Sequence, residues 1–355
     1  MQHFSKVAIF IFILLFLLSG CSQKDKGYAL PEFKKVEQAS FEIIGEELLG
    51  VNASTNLLPY KSYLILVAYD ASNKNCLHIF DKNGKPVIST VRIGRGPGEI
   101  LFPGNPSFDR ENGILTFFDL IGKKTLAIDI NLLSESGQLI DSIIEEYREL
   151  SYPTLSRLTN KGRVDFNGVL PLGKDNGPRF VYVDYTTNDT LTFNDYPLKF
   201  GDDAWDKYYM YDTNTMMELS PKGDKMAICS QWCGILETFS IGSEFKLIST
   251  SYFAEPKYSG QKNGGGMIIS DEAILVFNDI YTTDKELLCA YDGGQRGQSI
   301  PGNWYNKIAI FDWKGKPIKE IITDKRIEQL CMTQEGQIFA LVNNALGECY
   351  LAKLP

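Results

Sequence analysis

Short runs of β-branched and aromatic residues, broken by Gly, Asn, Asp or Lys-Gly turns, fill almost the whole chain after residue 38. This alternation is typical of β-hairpins. One segment differs: between Leu139 and Leu150, apolar and aromatic side chains recur at helical spacing, at Ile140, Ile143, Ile144 and Tyr147. The pattern therefore predicts an all-β protein with one short helical piece.

An internal repeat sets the size of the β unit. Ile79 to Val87 reads IFDKNGKPV, and Ile310 to Ile318, 231 residues later, reads IFDWKGKPI. Five units over that distance average about 46 residues, the length of a four-stranded propeller blade. The repeat therefore predicts a six-bladed β-propeller with four-stranded antiparallel blades.

A second kind of hairpin supports the count of six. We assign inner hairpins to Glu111-Asn112-Gly113, Asn160-Lys161-Gly162, Pro221-Lys222-Gly223, Glu335-Gly336, Leu57 to Val67 and Ser270 to Phe277. Outer hairpins near residues 83, 131, 186, 243, 314 and 347 alternate with them. The last unit is one strand short at Glu348 to Leu354, and we expect Phe41 to Leu49 to supply that strand and close the ring.

The N-terminus has the layout of a secretory signal: Lys6, an apolar run from Val7 to Leu18, then Ser19-Gly20-Cys21. The run is short for a membrane span. An ordinary transmembrane anchor with an incidental cysteine is the alternative. The polar stretch Ser22 to Gly27 favours a flexible tether instead.

Leu18-Ser19-Gly20-Cys21 resembles the lipobox of bacterial lipoproteins. The resemblance implies cleavage before Cys21, lipid attachment to its thiol, and export to the cell envelope. Ser22, where retention at the inner membrane would favour Asp, implies the outer membrane; the membrane face stays open. The predicted organisation is a signal peptide (1–20), a lipidated tether (21–37) and a propeller (38–355).

A glycine-rich segment follows the first repeat, with Gly94, Gly96, Pro97, Gly98 and Glu99 in the run Ile93 to Ile100. It resembles the inter-blade segment of the TolB-like and NHL-like six-bladed propeller lipoproteins of Bacteroidota. The resemblance implies a crossing between blades, with Glu99 paired to Arg95 or to a neighbouring blade. A phosphate-binding loop is disfavoured, because no Lys-Ser/Thr ending and no helix follow.

Composition excludes some functions. Without residues 1–20 the chain has 35 basic and 44 acidic residues, and such a net negative charge disfavours nucleic acid as a partner.

Six cysteines remain after Cys21, and their irregular spacing favours buried thiols over a disulfide framework. Cys229 and Cys233 would lie roughly 13 Å apart in an extended strand, too far for a bridge. Only one histidine, His78, remains once residues 1–20 are removed, and this scarcity disfavours both a zinc site and a Ser-His-Asp hydrolase.

Two groups of side chains are candidates for binding. Some six-bladed propellers hold a divalent cation in the central tunnel, and the oxygen ligands available here include Asp109, Asp119, Asp165, Asp279 and Asp284. Turn chemistry explains such aspartates equally well, so no cofactor is predicted. Aromatic residues and a Gly-rich insertion predict a ligand-binding face formed by Trp205, Tyr208, Tyr209, Tyr211, Arg296, Trp304 and Tyr305. Blade packing is the alternative for these aromatics.

Three functions remain open. The leading hypothesis is a membrane-anchored propeller, without catalytic activity, that binds or scaffolds a protein, peptide or glycan partner. A metal-dependent hydrolase or lyase of the lactonase type is the second. The third is a structural subunit of a cell-envelope complex. Fold similarity alone does not separate them, because propellers host all three roles.

Overall fold

The computed structural model describes residues 28–48, 55–68, 74–101, 103–119, 122, 124–132, 144–147, 155–158, 162–166, 178–196, 215–232, 234–261, 265–298 and 305–355. Strands dominate this part of the chain, and two single 3₁₀ turns, Ile130–Leu132 and Arg296–Gln298, complete it. No helix among the described residues is long and apolar enough to cross a membrane.

Six antiparallel sheets form the blades of a propeller. The N-terminal strands are β1 (Val36–Gln38) and β2 (Glu42–Glu47). Blade 1 has β3 (Asn56–Tyr60), β4 (Tyr63–Val67), β5 (Asn75–Asp81) and β6 (Pro86–Arg92); blade 2 has β7 (Pro103–Asp109), β8 (Ile114–Asp119), β9 (Lys124–Asp129) and β10 (Ile144–Tyr147). Blade 3 has β11 (Leu155–Leu158), β12 (Gly162–Phe166), β13 (Phe180–Asp184) and β14 (Thr190–Phe193).

Blade 4 has β15 (Thr215–Leu219), β16 (Lys225–Ser230), β17 (Ile235–Ile241) and β18 (Phe245–Tyr252). A separate hairpin, β19 (Tyr258–Gln261) and β20 (Gly265–Ile269), follows it. Blade 5 has β21 (Phe277–Thr282), β22 (Glu286–Tyr291), β23 (Lys307–Asp312) and β24 (Pro317–Ile322). Blade 6 has β25 (Arg326–Met332), β26 (Ile338–Asn343), β27 (Cys349–Lys353) and, as its outermost strand, β2.

The core lies between the blades. One apolar cluster joins blades 1 and 2, another joins blades 3 and 4, a third joins blades 4 and 5, and the largest joins blades 5, 6 and 1. Because both faces of a blade are covered, successive residues of a middle strand are buried, as in β22 from Leu287 to Tyr291. In blades 1, 2, 4, 5 and 6 the innermost strand ends in a turn on one side of the ring, which we call the turn face.

The N-terminal strand closes the ring as predicted. β2 pairs antiparallel with β27, with Glu42 opposite Lys353 and Ile43 opposite Ala352. The Lys353 Nζ lies 3.1 Å from Glu42 Oε2. The prediction of a six-bladed propeller completed by this strand is confirmed.

An additional strand was not predicted. β1 adds to blade 5 in parallel with β24, with Val36 opposite Glu320. Upstream, Phe33 packs edge-on against Tyr291 and Phe311, and the backbone amide of Ala29 donates to the carbonyl of Tyr252 in blade 4. Residues 28–41, which we call the strap, therefore cross blades 4 and 5 before the chain enters blade 6.

Two local predictions are wrong. Ile144–Tyr147, inside the predicted helix, is strand β10, because its backbone completes the ladder of β9 and this pairing outweighs a helical side-chain pattern; the rest of Leu139 to Leu150 lies outside the described residues. The inner hairpin of blade 5 is not Ser270 to Phe277 but the turn between β21 and β22. There the Thr283 hydroxyl accepts the amides of Lys285 and Glu286, a turn without glycine.

The repeated sequence encodes one turn twice. Asp81 Oδ1 accepts the amides of Asn83 and Lys85, and Asp312 Oδ1 accepts those of Lys314 and Lys316, at 2.8 and 2.9 Å in each case. Gly84 and Gly315 follow with φ of 80° and 72°. Gly84 also touches the closing strand: a Cβ at this position would overlap the carbonyl oxygen of Ile44 in β2.

We expect Gly84→Ala to lower the free energy of unfolding by about 3 kcal/mol or more, because it adds a backbone overlap to the cost of a positive φ. Gly315→Ala is the matched control. Its Cβ would meet the Ser251 hydroxyl at 2.8 Å, a side chain that can rotate, so the expected loss is about 1 kcal/mol. Urea denaturation measures the free energy of unfolding of both variants. Equal losses would contradict the close contact between Gly84 and the closing strand β2.

Candidate functional site

A bowl on the turn face is bordered by the inner turns of five blades. Its volume is about 890 Å³, and turns from blades 1, 2, 4, 5 and 6 surround it. The side chains that line it include Tyr60, Lys61, Arg110, Tyr281, Lys285 and Gln334. Glu111 and Glu335 also line it, so a half-buried tyrosine, Tyr60, and charges of both signs border one opening.

Arg110 lies at the floor of the bowl and joins three blades. Its Nη1 donates to the carbonyl of Thr282 at 2.9 Å, and its Nη2 donates to Glu218 Oε1 at 3.0 Å. The guanidinium also stacks over the Tyr281 ring, 4.4 Å from its centre. These contacts fix the arginine in place, so the floor keeps a defined shape.

Below Arg110 the axial channel is narrow. Glu218 bridges Arg110 and Arg157, whose Nε lies 3.2 Å from Glu218 Oε2. The cavity beside these side chains, which Ser107 also lines, has a volume of about 20 Å³. That is room for about one water molecule. Within the described residues, a ligand entering from the turn face would stop at the bowl.

Asp279 lies next to this charged group on β21. Its Oδ2 accepts the amide of Leu330 in β25 at 2.7 Å, and its side chain is buried. The pKa of Asp279 is raised to about 8, chiefly by burial and also by the nearby charge of Glu218, although the Leu330 amide and Arg157 lower it. The carboxyl group is therefore largely protonated at neutral pH.

The glycine-rich segment crosses from β6 to β7. Glu99 Oε2 accepts the amide of Gly96 at 2.8 Å, and Glu99 Oε1 lies 3.9 Å from Arg92 Nε rather than pairing with Arg95. Gly98 has φ of 69°, and a Cβ on Gly94 would overlap the Glu99 carboxylate. These glycines therefore allow the backbone to fold closely around the Glu99 carboxylate.

Of the predicted ligand-binding residues, the structure describes Arg296 and Tyr305. Trp205, Tyr208, Tyr209, Tyr211 and Trp304, like the lipidation candidate Cys21, lie outside the described residues. Arg296 instead holds the base of the β19–β20 hairpin, donating from Nη1 to the carbonyl of Ile269 and to Asp271, both at 2.9 Å.

Tyr305 is buried, 2% exposed, with φ of 56°. Its amide donates to Asp292 at 2.9 Å, and its hydroxyl accepts from Gln231 at 3.0 Å, so it links blades 4 and 5. Neither Arg296 nor Tyr305 lines the bowl.

The candidate metal ligands are separated from each other. Asp109 and Asp119 accept backbone amides in turns, Asp165 pairs with Arg163, and Asp284 lies 3.7 Å from Lys222. Among the described residues, no three His, Cys, Asp or Glu side chains come close enough together to hold a metal ion.

His78 and the cysteines also have simple surroundings. His78 Nδ1 lies 2.5 Å from the Ser89 hydroxyl on the adjacent strand, in a groove between blades 6 and 1. Five described cysteines are buried free thiols: Cys76, Cys229, Cys289, Cys331 and Cys349. Burial raises the pKa of each, to about 12 for Cys76 and Cys349, so these thiols are poor nucleophiles.

The sequence profile described as TolB-like 6-blade propeller-like matches residues 57–335. The chain belongs to this family. No curated protein matches the sequence.

Solved structures resemble this TolB-like propeller in fold. A protein of Bacteroides fragilis NCTC 9343 that is predicted to be exported superposes with a TM-score of 0.55 at 12% identity, over 92% of this chain and 98% of that one. A member of the DUF4221 family from Bacteroides vulgatus ATCC 8482 gives 0.48 at 9%, over 90% and 99%. A gluconolactonase of Xanthomonas campestris gives 0.45 at 10%, over 94% and 100%.

The bowl of this TolB-like propeller was not predicted from the sequence, because its wall comes from five turns far apart in the chain. One signal was available. Lys61 and Arg110 each directly follow an innermost strand, β3 and β7, and Lys285 lies in the corresponding turn of blade 5, three residues after β21. Aligning the blades by their inner turns would have placed these cations together.

We expect Asp279→Asn to change how stability depends on pH. The folded protein keeps the Asp279 proton up to a pKa of about 8, whereas the unfolded chain releases it near 4, so the parent loses stability as pH rises between these values. Asn cannot ionise, and the variant should therefore gain stability relative to the parent between pH 5 and 8.5 in urea unfolding. Asp271→Asn, 82% exposed, is the control and should run parallel to the parent. A constant difference for Asp279→Asn would contradict the raised pKa.

Proposed function

We propose that this protein is an exported lipoprotein of the cell envelope, anchored through Cys21 and placed in the outer membrane, whose propeller binds a segment of a protein, peptide or glycan partner in the bowl. The bowl is the observation that supports this proposal most directly. Its volume of about 890 Å³ lies in the range of ligand sites in proteins.

The lining of the bowl favours a polar, extended ligand. Tyr60 offers a half-buried aromatic surface, and a tyrosine ring can cover a sugar ring or a peptide side chain at low entropic cost. Lys61, Glu111 and Lys285 add charges of both signs around the opening. Because the channel below narrows at Arg110 and Glu218, such a ligand would lie across the bowl instead of passing through the ring.

A binding role also agrees with the chemistry of the described residues. They provide no cluster of metal ligands, the described thiols are buried, and the acids nearest the axis are engaged by arginines or a backbone amide. The signal-like N-terminus and the lipobox resemblance support export and anchoring.

We expect Gln334→Trp to weaken ligand binding roughly tenfold or more, because an indole at this turn would fill the bowl whatever the chemistry of the ligand. Ligands would be selected with the parent protein from a random peptide library and an oligosaccharide panel, and affinities measured by calorimetry.

Lys314→Trp is the matched control, since it alters an exposed central turn residue on the outer edge of blade 5. It should leave the affinity within twofold of the parent. Equal losses in the two variants, or none in Gln334→Trp, would exclude the bowl as the binding site.

A further inference from the structure

Exposed apolar side chains are concentrated on one side of the ring. Eleven large apolar side chains are exposed in the described part of the chain, and six of them lie on the outer rims of blades 4 and 5 or on the strap that crosses these rims. They are Tyr28, Leu30, Val36, Leu247, Ile248 and Ile318. The other five are distributed over blades 2, 3 and 6 and the separate hairpin.

The strap brings the anchor to the same side. Tyr28, the first described residue, packs edge-on against Tyr252 at the end of β18, with ring centres 6.3 Å apart. Ala29 donates its amide to the carbonyl of Tyr252. The chain therefore leaves the propeller at the rim of blade 4, beside Leu30.

The distance from this point to the lipidation candidate is short. Six residues lie between Cys21 and Tyr28, and the seven steps that join their Cα atoms span at most about 25 Å. A compact chain of this size has a radius of gyration of about 20 Å, so the tether is shorter than the ring is wide. An anchor at Cys21 would hold the rims of blades 4 and 5 close to the bilayer and keep blades 1 and 2 away from it.

We propose that the rims of blades 4 and 5 form a membrane-contact surface on which the propeller stands edge-on. The partner is a lipid bilayer, and the surface consists of the six apolar side chains named above together with Tyr252. This orientation rests on the lipid anchor of the proposed function. Tyrosine beside leucine and isoleucine suits the boundary between headgroups and acyl chains, where an aromatic ring meets both water and lipid.

Edge-on contact has a functional consequence. The ring axis then runs along the membrane plane, and the turn face with its bowl stays open to a partner from the side. Blade 2, on the opposite side of the ring, points away from the lipid. Leu132 in blade 2 is 38% exposed, close to the 40% of Leu247, and so provides a reference position with the same side chain.

Hydrogen exchange of the full lipidated chain tests the orientation, in vesicles of phosphatidylethanolamine and phosphatidylglycerol. The mature chain from residue 21 with Cys21→Ser, which has neither the signal peptide nor the acyl chains and stays in solution, is the reference state. We expect β18 and residues 28–35 to exchange at least several-fold more slowly on vesicles, with residues 124–132 unchanged. Leu247→Glu should remove the protection of β18, and Leu132→Glu should not alter it.

The mass of the N-terminal peptide shows whether the lipid anchor is present, and so distinguishes a failure of the anchor from a failure of the edge-on orientation. A chain without the acyl mass overturns both the anchor and the orientation. An acylated chain protected equally on both sides of the ring, or mainly at residues 124–132, overturns the orientation alone. Protection of β18 that grows with protein concentration in solution would instead assign this rim to contact between two copies.

Discussion

The ring depends on one strand pairing, that of β2 with β27. Blade 6 obtains only three strands from the C-terminal end of the chain, and residues near Glu42 complete it from a distance of about 300 positions. Without this strand, β27 would present unpaired backbone groups at the seam with blade 1. Gly84 shows how closely the seam is fitted, because blade 1 approaches the backbone of Ile44 where no side chain has room.

The seam also determines the candidate site. Tyr60 and Lys61 belong to blade 1, whereas Gln334 belongs to blade 6, so the bowl wall crosses the closure. Polar contacts also fix blades relative to one another at defined points. Arg110 reaches blades 4 and 5, and a buried bidentate pair between Arg179 and Glu237 joins blades 3 and 4. Apolar packing alone would not specify these positions as sharply.

Features that a few consecutive residues define could be predicted from the sequence. The Asp81 and Asp312 turns were visible because one aspartate and one glycine define each of them, and the closing strand was predicted from a blade left incomplete. Strand β1 was not predicted, because it has only three residues and pairs in parallel with β24, far along the chain, so it leaves no periodic pattern in the sequence. The bowl and the buried Asp279 arise from turns and strands of different blades, so their chemistry becomes visible only after folding.

A disulfide between positions 42 and 353 tests the closure most directly. Glu42 and Lys353 are directly opposite each other in an antiparallel pair, where Cα atoms are about 4.5–5.5 Å apart, a separation compatible with a disulfide. In the double variant Glu42→Cys and Lys353→Cys, we expect the bond to form under mild oxidation and to raise the melting temperature above that of the reduced form. If both thiols react with a maleimide but never join, the N-terminal strand does not close this ring.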